Sequence, residues 1–314
     1  MDGEKLPKMV SVIIPTCDRK DSLKAALDSI ARLDYPRNRY EVVVVDDGSV
    51  DGTEALVREL QGQVPMVLRY YRQEKKGLSA AKNIGIRESR GEILAFTDDD
   101  CLLEREWLAR LVQAFDSPEV GVVGGPDKIP GVSTAFAKCI DYSVTSFIGT
   151  GGVREGGVMR LAKYYPRGCN TALLKSLAEE AGGFDERFRV GEDIELVYRI
   201  RRAGYSIRYA TEAFVWHKRR GSFRAFVRQI FSRGCWRAEL GRRHRELLEV
   251  SYVLPSLMIV GFAGLFALSF FFPFPSGAPG RPRRCRRPLR PAPGPSPAPA
   301  PSGPPSRSPS SPSI

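Results

Sequence analysis

The chain has 314 residues, of which 42% are hydrophobic and 27% charged, and its formal net charge is +12. This length allows one large α/β domain with appendages, and the hydrophobic content is ordinary for a globular protein. The charge gives little support for a nucleic-acid partner, and none is expected, because seven arginines and no acidic residue follow residue 275.

Strand-like and helix-like segments alternate from Val10 to Tyr209. The first strand is predicted from Val10 to Pro15, and a helix follows from Asp21 to Leu33, with Asp21 as its N-cap. Further strands are predicted at 40–45, 67–71, 92–96, 120–123, 168–174 and 206–210, and further helices at 52–60, 78–88, 105–115 and 192–202. This alternation predicts an α/β fold with a mostly parallel sheet and helices on both faces.

The remaining segments differ in composition from this alternating region. The glycine-rich stretch 131–157 is predicted to be a loop region that sets specificity. Residues 221–250 combine aromatic side chains with many arginines, which is typical of a basic amphipathic helix in a membrane interface. A helix packed on the domain is the alternative. The uncharged apolar run 252–274 predicts a transmembrane helix, and the Pro/Arg/Ser-rich tail 275–314 is predicted to be disordered or a frame-shifted end.

The N-terminus and the cysteines indicate the compartment. No apolar stretch precedes the first strand, so no signal peptide is expected. The six cysteines are scattered and form no Cys-x-x-Cys pair, which favours reduced thiols in the cytosol and argues against a zinc site.

Three acidic clusters lie beside predicted strand or helix ends: Asp46-Asp47, Asp98-Asp99-Asp100 and Glu192-Asp193. The first two directly follow apolar strands, and carboxyl ends of parallel strands border the ligand crevice of open α/β sheets. The clusters therefore suggest a divalent cation, an anionic ligand and a carboxylate for acid–base chemistry. Each cluster has an alternative explanation. The first could be a turn with a helix cap, the second an exposed acidic loop, and the third a helix cap only.

The acidic clusters occur along the chain in a fixed order with three further segments. These segments are the strand Val10–Thr16, Gly77-Leu78-Ser79-Ala80-Ala81-Lys82-Asn83-Ile84-Gly85 and Gly182-Gly183-Phe184-Asp185-Glu186-Arg187-Phe188. Over residues 9–220 the chain resembles the family 2 glycosyltransferases of GT-A fold. The resemblance implies that residues 1–220 form a catalytic domain. This domain would transfer one hexosyl or N-acetylhexosaminyl group, with inversion, from a UDP-linked nucleotide sugar to a lipid-linked or cell-surface glycan. A non-catalytic nucleotide-sugar-binding relative and a nucleotidyltransferase are the alternatives.

The resemblance also implies roles for individual residues. Asp193 is the general base, and Glu192 lies on the acceptor side. Asp100 and His217 hold Mg²⁺ or Mn²⁺, cations that favour oxygen ligands. The nucleotide-sugar-binding residues are Pro15, Asp47, Lys82, Asp98 and Asp99.

The roles of Lys82 and His217 have alternatives, and the sequence also predicts the number of sugars added and the location of the protein. Lys82 stands where relatives usually carry arginine, so a solvated lysine is the alternative, and a lone histidine such as His217 is often structural. Gln229, Arg233 and Trp236 depart from the spacing of the Gln-x-x-Arg-Trp element of processive members, so a single addition is expected. The donor chemistry implies a cell-membrane protein with its catalytic domain on the cytoplasmic face.

Overall fold

The strands β1 (Val10–Thr16) and β2 (Tyr40–Asp46) are buried along their whole length. Strands of this kind require a covering layer on both faces of their sheet. The protein is described by a computed structural model that covers residues 8–131, 133–145, 164–217, 222–248 and 250–271, with no side chains described at 250–255. It divides into two units, Met1–Val260 and Gly261–Ile314.

The first unit contains a seven-stranded sheet of order β3-β2-β1-β4-β8-β6-β9. Its remaining strands are β3 (Val67–Arg72), β4 (Ile93–Phe96), β6 (Val120–Gly124), β8 (Thr171–Leu174) and β9 (Ser206–Tyr209). All neighbouring strands pair in parallel except β8, which is antiparallel to both β4 and β6. The predicted mostly parallel sheet is therefore confirmed.

Helices cover both faces of this sheet. They are α1 (Lys20–Ile30), α2 (Thr53–Leu60), α3 (Leu78–Glu88), α4 (Trp107–Gln113), α6 (Lys175–Glu180) and α7 (Glu192–Arg202). A further helix, α5 (Ala135–Thr145), lies between β6 and β8 in the chain. Successive residues of β1 join different cores, as the two-residue period of a strand requires. Ile14 belongs to one buried cluster with Leu27, whereas Ile13 belongs to the other with Ala81 and Leu196.

Two local predictions are wrong. Helix α1 begins at Lys20 after Arg19 as N-cap, so Asp21 lies within the first turn instead of capping it. The stretch predicted as a loop contains α5, because Ala137, Ile140 and Val144 recur at helical spacing and are buried. Residue 132 and residues 146–157 of that stretch lie outside the described residues.

A second, three-stranded sheet has the order β5-β10-β7. It consists of β5 (Cys101–Leu103), β7 (Asp127–Lys128) and β10 (Val215–His217). In the antiparallel pair of β5 and β10, His217 lies opposite Cys101. These strands have two or three residues each, which is too short for a periodic signal in the sequence.

The predicted basic amphipathic helix is α8 (Phe223–Arg243), in which Ser222 caps the N-terminus by accepting a hydrogen bond from Ala225 N–H. Leu240 is buried in a small core that also contains Phe188, so this end of α8 packs on the domain. Phe223 and Phe231, nearer the other end, are 69% and 73% exposed. The C-terminal half of α8 is therefore packed on the domain, as in the alternative prediction. A position of α8 in the membrane interface stays a prediction.

The last described element is α9 (Val250–Phe271), which carries exposed apolar side chains from Leu257 to Phe271. Across the described residues, no helix combines the length and the apolar character needed to cross a membrane. The transmembrane helix at 252–274 therefore stays a prediction, and residues 272–274 and the tail 275–314 lie outside the described residues.

Candidate active site

A cavity of about 800 Å³ lies at the carboxyl ends of β1, β2 and β4, where an open α/β sheet binds its ligands. The N-terminus of α7 and one side of α8 complete its lining. Every residue predicted for the site lines it: Pro15, Asp47, Lys82, Asp98, Asp99, Asp100, Glu192, Asp193 and His217. Segments distant in the sequence are thus brought to one place, and the roles of their residues stay predictions.

The two carboxylates that follow β2 have different environments. Asp46 is fully buried and accepts hydrogen bonds from Ser49 N–H and the Tyr70 hydroxyl, each at 2.7 Å. Asp47 lines the cavity and accepts from Gln73 Nε2 at 2.7 Å and from the N–H of Lys76 at 2.8 Å. Asp46 therefore stabilises the turn, as in the alternative prediction. Asp47 lines the cavity and binds the loop that leads into α3.

The acidic run Asp98–Asp100, which follows β4, is hydrogen-bonded to the end of β1 and to Arg19. Asp99 is 4% exposed and accepts from Thr16 Oγ1 at 2.8 Å and from Arg19 Nη1 at 3.2 Å. The same Arg19 nitrogen donates to Asp100 Oδ2 at 2.6 Å. The exposed acidic loop is therefore wrong for this run. Arg19 was not among the predicted site residues, although it follows β1 by three positions.

The outer carboxyls of this run differ in acidity. Burial raises the pKa of Asp98 to about 7, the nearby Cys169 adds to this, and the Lys82 ammonium opposes it. Burial would also raise the pKa of Asp100, but its contacts with His217 and Arg19 hold that pKa below its ordinary value. Asp100 is therefore the more strongly charged of the two near neutral pH.

His217 lies between two carboxylates. Its Nε2 is 3.3 Å from Asp100 Oδ1, and its Nδ1 is 3.7 Å from Asp127 Oδ2. Burial alone would lower the pKa of His217, but contacts with Asp100, Asp127 and Cys169 raise it to about 12. Within the described part of the chain, Asp100 Oδ1 and His217 Nδ1 are buried atoms with no hydrogen-bond partner. A buried carboxylate oxygen beside an imidazole is a donor set that fits Mn²⁺ or Mg²⁺ once the imidazole has lost its extra proton.

Lys82 and Glu192 form a buried ion pair, with 2.7 Å between Nζ and Oε1. Their side chains are 1% and 6% exposed. Although burial opposes the charge of Lys82, Glu192 raises its pKa, and Asp98 and Asp193 add to the rise. The solvated-lysine alternative is therefore wrong, and Glu192 does more than cap α7.

The carboxylate of Asp193 is held by the backbone. Its Oδ2 accepts from Gly168 N–H at 2.8 Å, and its Oδ1 accepts from Ile194 N–H at 2.8 Å. A Cβ atom at Gly168 would lie 2.6 Å from Lys82 Nζ, well inside contact distance. Glycine therefore lets the backbone approach the lysine and the carboxylate together.

Helix α8 contributes a further set of residues that the sequence had not assigned to the site. Gln229, Arg233 and Trp236 line the cavity, and they follow one another at helical spacing. Other basic residues that line it are Arg167, Arg189, Arg228 and Arg237. This positive charge in the cavity lining suits an anionic ligand.

The comparisons with known proteins agree with this geometry. The family model described as glycosyl transferase family 2 matches residues 11–233, which is more than half of the chain. The chain belongs to glycosyl transferase family 2. It is therefore a glycosyltransferase, and the predicted family is confirmed.

Individual members resemble it over most of their length. Glycosyltransferase AglE of Haloferax volcanii is 30% identical over 255 residues, which are 81% of each chain. Succinoglycan biosynthesis protein ExoA of Rhizobium meliloti is 28% identical over 275 residues, which are 85% of this chain and 81% of ExoA.

The solved structure of the mannosyltransferase PcManGT from Pyrobaculum calidifontis, in complex with GDP-Man and Mn²⁺, superposes with a TM-score of 0.61. It shares 26% sequence identity, and the match covers 76% of this chain but 65% of PcManGT. The α/β architecture of this family 2 enzyme thus resembles the GT-A fold, as predicted.

Proposed function

We propose that this family 2 enzyme is an inverting, metal-dependent glycosyltransferase that moves a single sugar from a nucleotide sugar to a lipid-linked or cell-surface glycan. One observation carries the proposal. The carboxylate of Asp193, held by the backbone, lines the same cavity as the run Asp98–Asp100. Lys82 interacts with Asp98, Glu192 and Asp193, so it links the two acidic clusters electrostatically.

The donor is a nucleotide sugar that occupies the part of the cavity beside β1 and β2. Pro15 and Asp47 line this part, and the remaining acceptor capacity of the Asp47 carboxylate suits a base N–H. Asp98 and Asp99 lie toward the sugar and diphosphate, together with the basic side chains of the wall. UDP is the nucleotide expected from the resemblance, and the GDP-Man in PcManGT makes GDP the competing one.

Asp100 and His217 are the residues that hold the divalent cation. Asp100 Oδ1, a buried atom that makes no hydrogen bond within the described residues, and the Mn²⁺ in PcManGT support this assignment. When bound, Mn²⁺ or Mg²⁺ supplies positive charge for the diphosphate that leaves the donor.

Asp193 takes the proton from the acceptor hydroxyl as that oxygen attacks the anomeric carbon. A base within hydrogen-bond reach is needed because a sugar hydroxyl is a poor nucleophile at neutral pH. Attack from the face opposite the diphosphate is a single displacement, so the anomeric configuration inverts. Glu192 lies on the acceptor side, where its ion pair with Lys82 fixes the start of α7.

The enzyme acts in polysaccharide or glycoconjugate synthesis at the cell membrane, with its catalytic domain on the cytoplasmic face. The exposed Phe223 and Phe231 of α8 and the apolar surface of α9 support membrane attachment. Sedimentation with anionic lipid vesicles tests this point. We expect the full chain to bind them and the double variant Phe223→Ser, Phe231→Ser to bind less.

The function is tested by release of nucleoside diphosphate from UDP-, GDP- and dTDP-sugars, with a membrane lipid extract as acceptor. We expect release from one donor class, abolished by EDTA and restored by Mn²⁺ or Mg²⁺. Pyrophosphate as the product would instead identify a nucleotidyltransferase. Donor binding without release across a broad acceptor panel would identify a non-catalytic relative.

A further inference from the structure

Cys101, Cys169 and His217 form a cluster at the floor of the cavity. One ligand atom from each residue lies within 4.8 Å of the ligand atoms of the other two. Both cysteines are buried, and the side chain of His217 is 19% exposed. Cys169 and His217 line the cavity, so an ion that enters the cavity can reach them.

The fold holds these three residues rigidly. Cys101 and His217 are direct partners in the antiparallel pair of β5 and β10, where opposite side chains lie on the same face. Cys169 precedes the fully buried Asn170, whose Nδ2 donates to the carbonyls of Pro126 at 3.0 Å and Ala213 at 2.8 Å. The cluster is therefore built by backbone pairing and buried hydrogen bonds.

Packing alone explains two buried cysteines, because cysteine behaves as a small apolar side chain. It does not explain the imidazole. His217 Nδ1 is a buried nitrogen that makes no hydrogen bond among the described residues, its neighbour Asp127 Oδ2 being 3.7 Å away, and such atoms are rare in folded proteins. Two sulfur atoms and one imidazole nitrogen form the three-ligand set of an open zinc site.

We propose that Cys101, Cys169 and His217 bind one thiophilic divalent cation, Zn²⁺, with its fourth position open to the cavity. Each thiol that becomes a ligand, and the protonated imidazole of His217, loses a proton to solvent, so binding releases protons. The site differs from the one proposed for Mn²⁺ or Mg²⁺, because hard cations favour oxygen and Zn²⁺ favours sulfur. Both sites use His217, so they cannot be filled independently.

A regulatory consequence follows, and it rests on the proposed function. Zn²⁺ held by the two cysteines takes His217 from Asp100, 3.3 Å away, and weakens binding of the activating cation. Zn²⁺ therefore inhibits sugar transfer, and added Mn²⁺ relieves the inhibition by competing for His217.

The binding itself is tested without any activity measurement. Full-length, reduced protein is titrated with Co²⁺ as a spectroscopic probe for Zn²⁺, and absorbance is followed in the thiolate charge-transfer region. We expect one equivalent of Co²⁺ to produce the band and one equivalent of Zn²⁺ to displace it. Cys101→Ser and Cys169→Ser should each lose the band and bind Zn²⁺ at least about 100-fold more weakly. Cys139→Ser is the matched control, because that cysteine is exposed and outside the cluster.

Absence of the band in the wild-type protein with its thiols counted as free would overturn the proposal. So would a band that survives Cys169→Ser. The wild-type titration decides the question even if a serine variant fails to fold. The Co²⁺ band does not depend on turnover, so the metal site can be present even if the proposed transfer reaction is not observed. Likewise, absence of the band would not contradict the transfer reaction.

Discussion

The ammonium group of Lys82 lies 2.7 Å from the carboxylate of Glu192, and both side chains are almost completely removed from solvent. One residue belongs to α3 and the other begins α7, so the pair connects two helices that line the cavity. Two charges taken out of water are stable only when each compensates the other. The start of α7, which carries Asp193, therefore depends on Lys82.

The first prediction concerns the stability that this pair provides. Glu192→Gln should lower the free energy of unfolding by about 3 kcal/mol, because it leaves a buried ammonium group without its nearest partner. Urea denaturation at neutral pH measures the change. Glu54→Gln is the control, since the pair of Glu54 with Arg58 is exposed and is worth at most about 1 kcal/mol. Equal losses in the two variants would contradict the account.

The second prediction concerns the close approach of Gly168 to the lysine. In Gly168→Ala the new methyl group would lie 2.6 Å from Lys82 Nζ and 3.6 Å from Asp193 Oδ2. The ammonium group of Lys82 must shift, whereas the carboxylate is at ordinary contact distance. A displacement of this kind in a group that lines the site costs about 100-fold in turnover. Steady-state nucleotide release measures the effect.

The control for this variant is Gly131→Ala, because nothing lies within 4 Å of a Cβ atom at Gly131. It should retain the turnover of the wild type. Wild-type turnover in Gly168→Ala as well would show that the position tolerates a side chain and that the close approach has no catalytic importance.

The third prediction concerns acid stability. Hydrogen bonds from Arg187 lower the pKa of Asp185 to about 2, against a smaller effect of burial. A depressed pKa stabilises the fold above the unfolded value of about 3.9, and the contribution is lost as the pH falls through about 2.

The lost contribution should be about 1 kcal/mol, because Arg187 is 75% exposed and solvent screens the pair. We expect the wild type to be more stable than Asp185→Asn at pH 6, with the difference shrinking toward pH 2. Urea denaturation across this range measures it. A difference that grows as the pH falls would have the wrong sign.

The sequence predicted those parts of the fold that have strong local signals. Strands β1, β2 and β4 are apolar and fully buried, so their positions and their parallel pairing could be predicted. The sheet of β5, β7 and β10 could not, because strands this short gain their stability from neighbours that are distant in the sequence.

The same distinction applies to the site. The acidic clusters follow strands or begin a helix, so their meeting at one cavity could be predicted. The pairing of Lys82 with Glu192 depends on how two helices pack, which no local pattern encodes. The approach of Cys101 to Cys169 was likewise missed, because the absence of a Cys-x-x-Cys pair says nothing about cysteines that the tertiary fold brings together.

Asp193 is proposed to activate the acceptor, and the turnover of Asp193→Asn is the sharpest test of that role. Asparagine preserves the shape, and its Oδ1 can keep one of the two backbone hydrogen bonds, but its amide nitrogen can accept neither the other bond nor the proton. We expect turnover to fall by about 100- to 10,000-fold while donor affinity is little changed. Asp116→Asn, at an exposed ion pair with Arg208, is the matched control and should retain wild-type turnover. Undiminished transfer by Asp193→Asn would contradict the account.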